Sequence, residues 1–208
     1  ILGIIWILPL MWIILTSFRA EPGSYTSYFW PKGFTLDNFT RLIFEDQQFK
    51  FTKWFVNTFI VAVVSCVGST FIVLAVSYVL SRLRFKMRKP MMNIALILGM
   101  FPGFMSMIAI YYILKGLGLT ENPLVCLTLV YICGSGLTYY IAKGFFDTIP
   151  KSLDESAYLD GATRSQVFFH ITIPLSKPII VYTVLTTFIA PWVDYIFPSM
   201  ICGANYDS

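Results

Sequence analysis

Long apolar runs separated by short polar stretches dominate the chain from its first residue. Five of them, residues 1–18, 54–80, 91–114, 124–142 and 179–201, reach the roughly 20 apolar residues that a helix needs to cross a bilayer core of about 30 Å. The pattern predicts an all-α, polytopic transmembrane helix bundle, with residues 1–208 forming one membrane domain. Several runs carry residues that loosen a helix: Pro102-Gly103 in the third, Gly134-Ser135-Gly136 in the fourth, Pro191 and Pro198 in the fifth. A proline removes one backbone hydrogen bond and crowds the turn before it, so kinks are expected in mid-span. In a membrane such irregularity survives only against protein or a wet cavity. Gly134-Ser135-Gly136 reads more readily as small-residue helix packing than as pore lining, whereas Pro102-Gly103 fits either role equally.

The polar connections set the orientation. Residues 81–90 hold Arg82, Arg84, Lys86, Arg88 and Lys89 with no acid, and short loops rich in Lys and Arg stay on the cytoplasmic side. Counting from there places residues 19–53 and 115–123 outside and residues 143–177 inside. Topology is the main reading of this basic cluster, ahead of a specific site for lipid headgroups. Composition agrees with a membrane protein: 57% of residues are hydrophobic and 12% charged, where a soluble domain carries about a quarter charged. Cys66, Cys126, Cys133 and Cys202 are scattered without a CxxC pair, so neither a disulfide nor a metal site is expected. The chain starts at Ile1 rather than Met, and its first run lacks the basic flank and cleavage site of a signal peptide. The expectation is that residue 1 is not the natural start.

The inside segment between the fourth and fifth runs is unlike its surroundings. Ser152-Leu153-Asp154-Glu155 fits a capping box and starts a helix at about Leu153, with Asp154 and Glu155 in the first turn, where acids complement the helix dipole. Gly161 supplies the positive φ that ends it, and Thr163-Arg164-Ser165-Gln166 offers a second capping box. In the second short helix Val167 and Ile171 share a face beside Phe168, and Pro174 and Pro178 close it off ahead of the fifth run. The physics leaves two readings open: a rigid docking knob, or a loop on the membrane surface.

At these residues the chain resembles the permeases of ABC importers. Glu155-Ser156-Ala157, Asp160-Gly161-Ala162 and Ile171-Thr172-Ile173-Pro174-Leu175 match their "EAA" signature, with serine for the usual second residue and Ile173 for the usual leucine. The likeness extends to Thr35-Leu36-Asp37-Asn38-Phe39, Phe55-Val56-Asn57-Thr58, Ser81-Arg82-Leu83-Arg84-Phe85, Gly116-Leu117-Gly118-Leu119 and Phe145-Phe146-Asp147-Thr148-Ile149-Pro150. All are similar to the carbohydrate-uptake branch, and to the smaller permease of its maltose type. The resemblance implies that the knob is a coupling helix held in a cleft of a cytoplasmic ATPase dimer, whose closure on ATP rocks the permease from inward-open to outward-open. The coupling residues it implies are Glu155, Ser156, Ala157, Asp160, Gly161, Ala162 and Phe168. It further implies a second, different permease subunit, an extracytoplasmic solute-binding protein, a bacterial cytoplasmic membrane as the setting, no nucleic acid partner, and a sixth span after Ser208. No GxxxxGK[ST] loop occurs, so no cofactor is expected on this chain itself, and ATP with Mg belongs on the partner ATPase.

A path for the solute is less clearly written. Asp194 is the one formal charge placed inside a span, where an ionisable group is costly enough to suggest function. Trp192 and Tyr195 flank it as candidate surfaces for a sugar ring, and Pro102, Gly103 and Tyr131 join it as candidate pathway residues. The alternative is a helix-end carboxylate among interfacial aromatics. Thr138, Tyr139 and Thr187 are weaker wall candidates, because hydroxyls in membrane helices usually bond their own backbone. His170 has no nucleophile or metal set around it, so no catalytic residue is expected. Asn38-Phe39-Thr40 fits a glycosylation pattern that matters only in a eukaryotic secretory setting. The expected function is ATP-driven import of a sugar, with an oligosaccharide the expected size class. The alternatives are an ABC permease for another solute, or an ATP-independent secondary carrier, which should show intramembrane ion sites and a repeated helix pattern.

Overall fold

The structure, a computed structural model, describes residues 2–21, 28–45, 50–134 and 136–203. Ile1 and Ser135 lie outside the described residues, as does everything beyond residue 203. The chain divides into two compact units, residues 1–57 and 58–208. Regular structure among the described residues is helical, apart from an isolated bridge between Arg19 and Phe34.

The first unit holds α1 (Leu2–Ser17) and α2 (Asp37–Phe44). Arg19, buried between them in sequence, stacks its guanidinium on the rings of Trp12 and Tyr28 and donates to the carbonyls of Tyr28 and Phe29. The Asn38 side chain donates to the carbonyls of Ser17 and Arg19, so this asparagine ties α2 to the end of α1.

α3 (Phe51–Arg82) begins in the first unit and forms the mast of the second. It extends past both ends of the apolar run 54–80. Ala62, Ser65, Ser69, Val73, Ser77 and Ser81 recur every three or four residues and are buried, a stripe of small side chains that lets neighbouring helices come close. A Cβ on Gly68 would lie 2.8 Å from the Ile132 side chain. Ser77 donates to the carbonyl of Tyr139 at 3.0 Å, and the Cys66 thiol to that of Val184 at 3.4 Å.

The third and fifth runs are broken rather than kinked, whereas the fourth forms helix over residues 123–148 on both sides of Ser135, which lies outside the described residues. α4 (Arg88–Met100) and α5 (Gly103–Gly116) meet at 107°. Pro102 forces Phe101 out of the helical region, to φ −63° and ψ 140°, so the third run cannot continue as one helix. After a short 3₁₀ turn (Leu119–Glu121), α6 (Pro123–Cys133) ends at Gly134 and α7 (Gly136–Thr148) carries the fourth run past its expected end at 142. α8 (Lys151–Leu159), α9 (Arg164–Val167), a π-helical turn (Phe168–Thr172) and α10 (Ile173–Leu175) form the polar element. A bend of 80° then leads into α11 (Lys177–Val193), followed by α12 (Ile196–Cys202). The fifth run was expected to be one helix with Asp194 inside it. Instead Asp194 is extended, at φ −88° and ψ 120°, between α11 and α12. Its carboxylate accepts from the Phe197 N–H, and Pro198 sits in the first turn of α12, where a missing N–H costs nothing.

Two apolar cores lie along α3. Val61 packs with Leu114, Cys126, Leu127, Phe197 and Ile201, joining α3 to α5, α6 and α12. Val73, Leu74 and Tyr78 pack with Ala142, Phe146, Ile149 and Ile179, joining it to α7 and α11. Val61 and Tyr78 are about 25 Å apart along the axis at roughly 1.5 Å per residue, so one rigid helix connects both cores.

Candidate functional site

Two helix breaks converge. Gly103 and Asp194, one from each, line a single cavity of about 330 Å³ together with Tyr131, Gly134, Thr138 and Thr187. Backbone freed from helical hydrogen bonding is tolerated at membrane depth where it borders a cavity, and transporters build solute sites from such discontinuous helices. Asp194 carries the one formal charge on the described wall. It is held twice: Tyr131 donates its hydroxyl to Oδ2 at 2.9 Å, and the Phe197 N–H donates to Oδ1 at 3.2 Å. Each carboxylate oxygen keeps acceptor capacity for something in the cavity. Thr187 gives its own proton to the carbonyl of Thr183, so it too presents acceptor lone pairs.

The sequence-level candidates divide on this geometry. Gly103, Tyr131, Asp194, Thr138 and Thr187 come together at the cavity; Pro102 starts α5 beside Gly103 without reaching the wall. Trp192 and Tyr195 do not share the cavity with Asp194. Trp192 stacks near Phe188 with ring centroids 6.2 Å apart, and Tyr195 is exposed. Because backbone at Asp194 is extended, its neighbours project to other sides. Tyr139 packs against the Tyr78 core instead. Of the Gly134-Ser135-Gly136 run, Gly134 lines the cavity, while Ser135 is outside the described residues.

The polar element departs from expectation at its start. Pro150 at φ −59° and ψ 130° is the N-cap of α8, and Ser152 lies inside the helix with no capping bond, so the first capping box does not form. Proline fixes the turn by itself, two residues before the serine could act. The rest follows the sequence. Gly161 has φ +87°, and the Ala162 and Gly161 N–H groups close α8 on the carbonyls of Ala157 and Tyr158. Thr163 and Gln166 cap reciprocally at 2.7 and 3.4 Å. Glu155, Ser156, Asp160 and Gly161 are exposed, Ala157 and Ala162 half-buried. Leu159 is 90% exposed and Phe169 57%, giving the polar surface two apolar projections. Phe168 turns the other way, 4.7 Å from the Tyr78 ring, and joins the element to the bundle beside a fully buried Val167.

Sequence reasoning missed what anchors this element. Arg82, read as a topology charge and as part of the Ser81–Phe85 likeness, pairs with Asp154 at 2.9 Å, both side chains under a tenth exposed. It also donates to the carbonyl of Ile149 at 3.1 Å. Beside it Ser81 donates to Asp147 at 2.6 Å, and Lys143 pairs with the same carboxylate. A single sequence offers no signal that couples positions so far apart. The only hint is an arginine ending a long apolar helix.

Comparison with known proteins finds relatives along nearly the whole chain. A family described as "Binding-protein-dependent transport system inner membrane component" matches residues 72–206. The galactooligosaccharides transport system permease protein GanQ of Bacillus subtilis (strain 168) is 33% identical over 201 residues, spanning 96% of this chain and 71% of that protein. The maltodextrin transport system permease protein MalD of Streptococcus pneumoniae (strain ATCC BAA-255 / R6) is 32% identical over 205 residues, 96% of this chain and 70% of that one. A chain from the crystal structure of a bacterial ABC transporter involved in the import of the acidic polysaccharide alginate superposes with a TM-score of 0.80. It is 22% identical and covers 94% of this chain and 68% of its own, so this likeness speaks to the fold.

Proposed function

The chain belongs to the family of binding-protein-dependent transport system inner membrane components, and from that premise we propose that it is a membrane-spanning permease subunit of an ATP-driven ABC importer. Its solute is an oligosaccharide, handed over by an extracytoplasmic binding protein and carried by alternating access. The observation that carries this reading is the convergence of two broken helices on one hydroxyl-lined cavity with a pinned carboxylate. Hydroxyl, phenol and carboxylate groups suit a polyhydroxylated ligand, since each supplies or accepts hydrogen bonds without demanding a charge on the ligand. The printed solutes of the relatives, galactooligosaccharides and maltodextrin, favour the same class.

The exposed element from α8 to α9 is the docking site for the ATPase, on the cytoplasmic side. Its glycine corner and capping box hold Glu155, Ser156, Ala157, Asp160, Gly161 and Ala162 in one fixed shape, and Phe168 fastens that shape to α3. Movement imposed there passes into α11 through the bend at Ser176, and α11 carries Thr187 at the cavity. Ser176, Thr183 and Thr187 all bond carbonyls of their own helical turns along this lever. ATP with Mg binds the partner ATPase, and a second permease completes the pathway.

The test is reconstitution of the affinity-purified complex in proteoliposomes with labelled maltodextrins and galactooligosaccharides. Uptake that requires both lumenal-side ATP at the nucleotide-binding subunit and an added solute-binding protein is expected. Uptake driven by an ion gradient without ATP would establish a secondary carrier instead.

A further inference from the structure

The ion pair between Arg82 and Asp154 has a geometry that neither folding of α3 nor docking of α8 requires by itself. Arg82 is the last residue of α3, and Asp154 lies in the first turn of α8. Their side chains are 5% and 7% exposed. Among the described residues, the Arg82 Nε and Nη1 and Asp154 Oδ1 atoms are buried without a hydrogen-bond partner, so the 2.9 Å contact is an ion pair by distance rather than an aligned hydrogen bond. Each charge is therefore compensated chiefly by the other. A pair in this state resists separation, because parting the two leaves an uncompensated buried charge on each side. Apolar packing alone would not do this, since it is non-directional and lets one surface slide over another.

We infer that Arg82 and Asp154 are positioning residues that clamp the docking element to the end of α3, so that α3 must travel with α8. The inference rests on the docking reading of α8. Its consequence is a second route for motion. The first runs through the chain itself, from the π-helical turn into α11. The second runs through the clamp into α3, and α3 reaches the far core where Val61 meets Leu114, Leu127 and Phe197, next to the cavity wall. With both routes, the two flanks of the cavity respond to one displacement.

The experiment measures ATP hydrolysed per solute transported, in the reconstituted complex, for Arg82→Met, Asp154→Leu and the double variant. Single variants strand a buried charge and are expected to assemble poorly. The double variant removes both charges, a change that is often neutral or stabilising for a buried pair. It is expected to assemble normally, to hydrolyse ATP within about twofold of the unmodified complex, and to raise the ATP-to-solute ratio roughly tenfold. A double variant that assembles and keeps the normal ratio would overturn the clamp, as would one that fails to assemble, which would make the pair a folding requirement. Gly161→Val measured alongside separates the two claims. If it uncouples while the double variant does not, the clamp alone fails; if neither uncouples, the docking reading fails.

Discussion

Valine at position 161 is expected to reduce solute transport to background while leaving the protein in the membrane. Gly161 ends α8 at φ +87°, and no atom lies within 4 Å of where its Cβ would be. The restriction is therefore in the backbone, not in space. A β-branched residue held at that φ costs roughly 1–3 kcal/mol, more than the capping bonds of a nine-residue surface helix can resist. The corner then relaxes to negative φ, and α8 loses its fixed relation to α9. The order of effects identifies the cause. Asparagine, which tolerates the left-handed region, should retain most transport; alanine should be intermediate; valine should retain least. An order that follows side-chain volume instead would point to contact with a partner rather than to the corner itself. ATPase activity and uptake measured on the same proteoliposomes decide between them.

The second large effect is expected at Asp194. Asparagine keeps one acceptor oxygen for the Phe197 N–H, and its NH2 can donate to the Tyr131 hydroxyl oxygen with the direction of that bond reversed, so Asp194→Asn should change stability by less than about 1 kcal/mol. A hydrogen bond to a charged acceptor exceeds a neutral one by about 1 kcal/mol. If the free lone pairs of Asp194 meet a solute hydroxyl, uptake at subsaturating solute should fall roughly five- to tenfold. Asp194→Ala removes the cap and leaves the Tyr131 phenol unpaired in the cavity wall, and should cost about 2–4 kcal/mol of stability. Thermal unfolding and uptake measured together separate these outcomes. An asparagine variant with unchanged uptake would leave Asp194 as the residue that holds the α11–α12 break, and nothing more.

The sequence carried the helical class and the interior shape of the polar element, because those depend on local rules. Gly161 and the Thr163–Gln166 capping box follow from the conformational preferences of a few adjacent residues. The same local rules erred at Ser152, where Pro150 fixed the helix start first, and at Asp194, where apolar content suggested a continuous span. Hydropathy reports how apolar a run is, not whether its backbone is continuous, so the breaks at Pro102 and Asp194 read as at most kinks. That Gly103, Gly134 and Asp194 share a cavity is a tertiary fact, as is the burial of Arg82 against Asp154. Arg82 looked like every other cation in a basic loop. Only the position of α8 shows that this one is withheld from solvent.

Central to the account is that the element from α8 to α9 touches a separate ATPase. The direct measurement places a photo-crosslinking amino acid at position 156, an exposed residue of α8, in the intact complex in native membranes. The account predicts a crosslinked product with the cytoplasmic nucleotide-binding subunit whose yield changes on adding ATP. Crosslinks to lipid or to an extracytoplasmic protein, with none to a nucleotide-binding subunit in either condition, would contradict it.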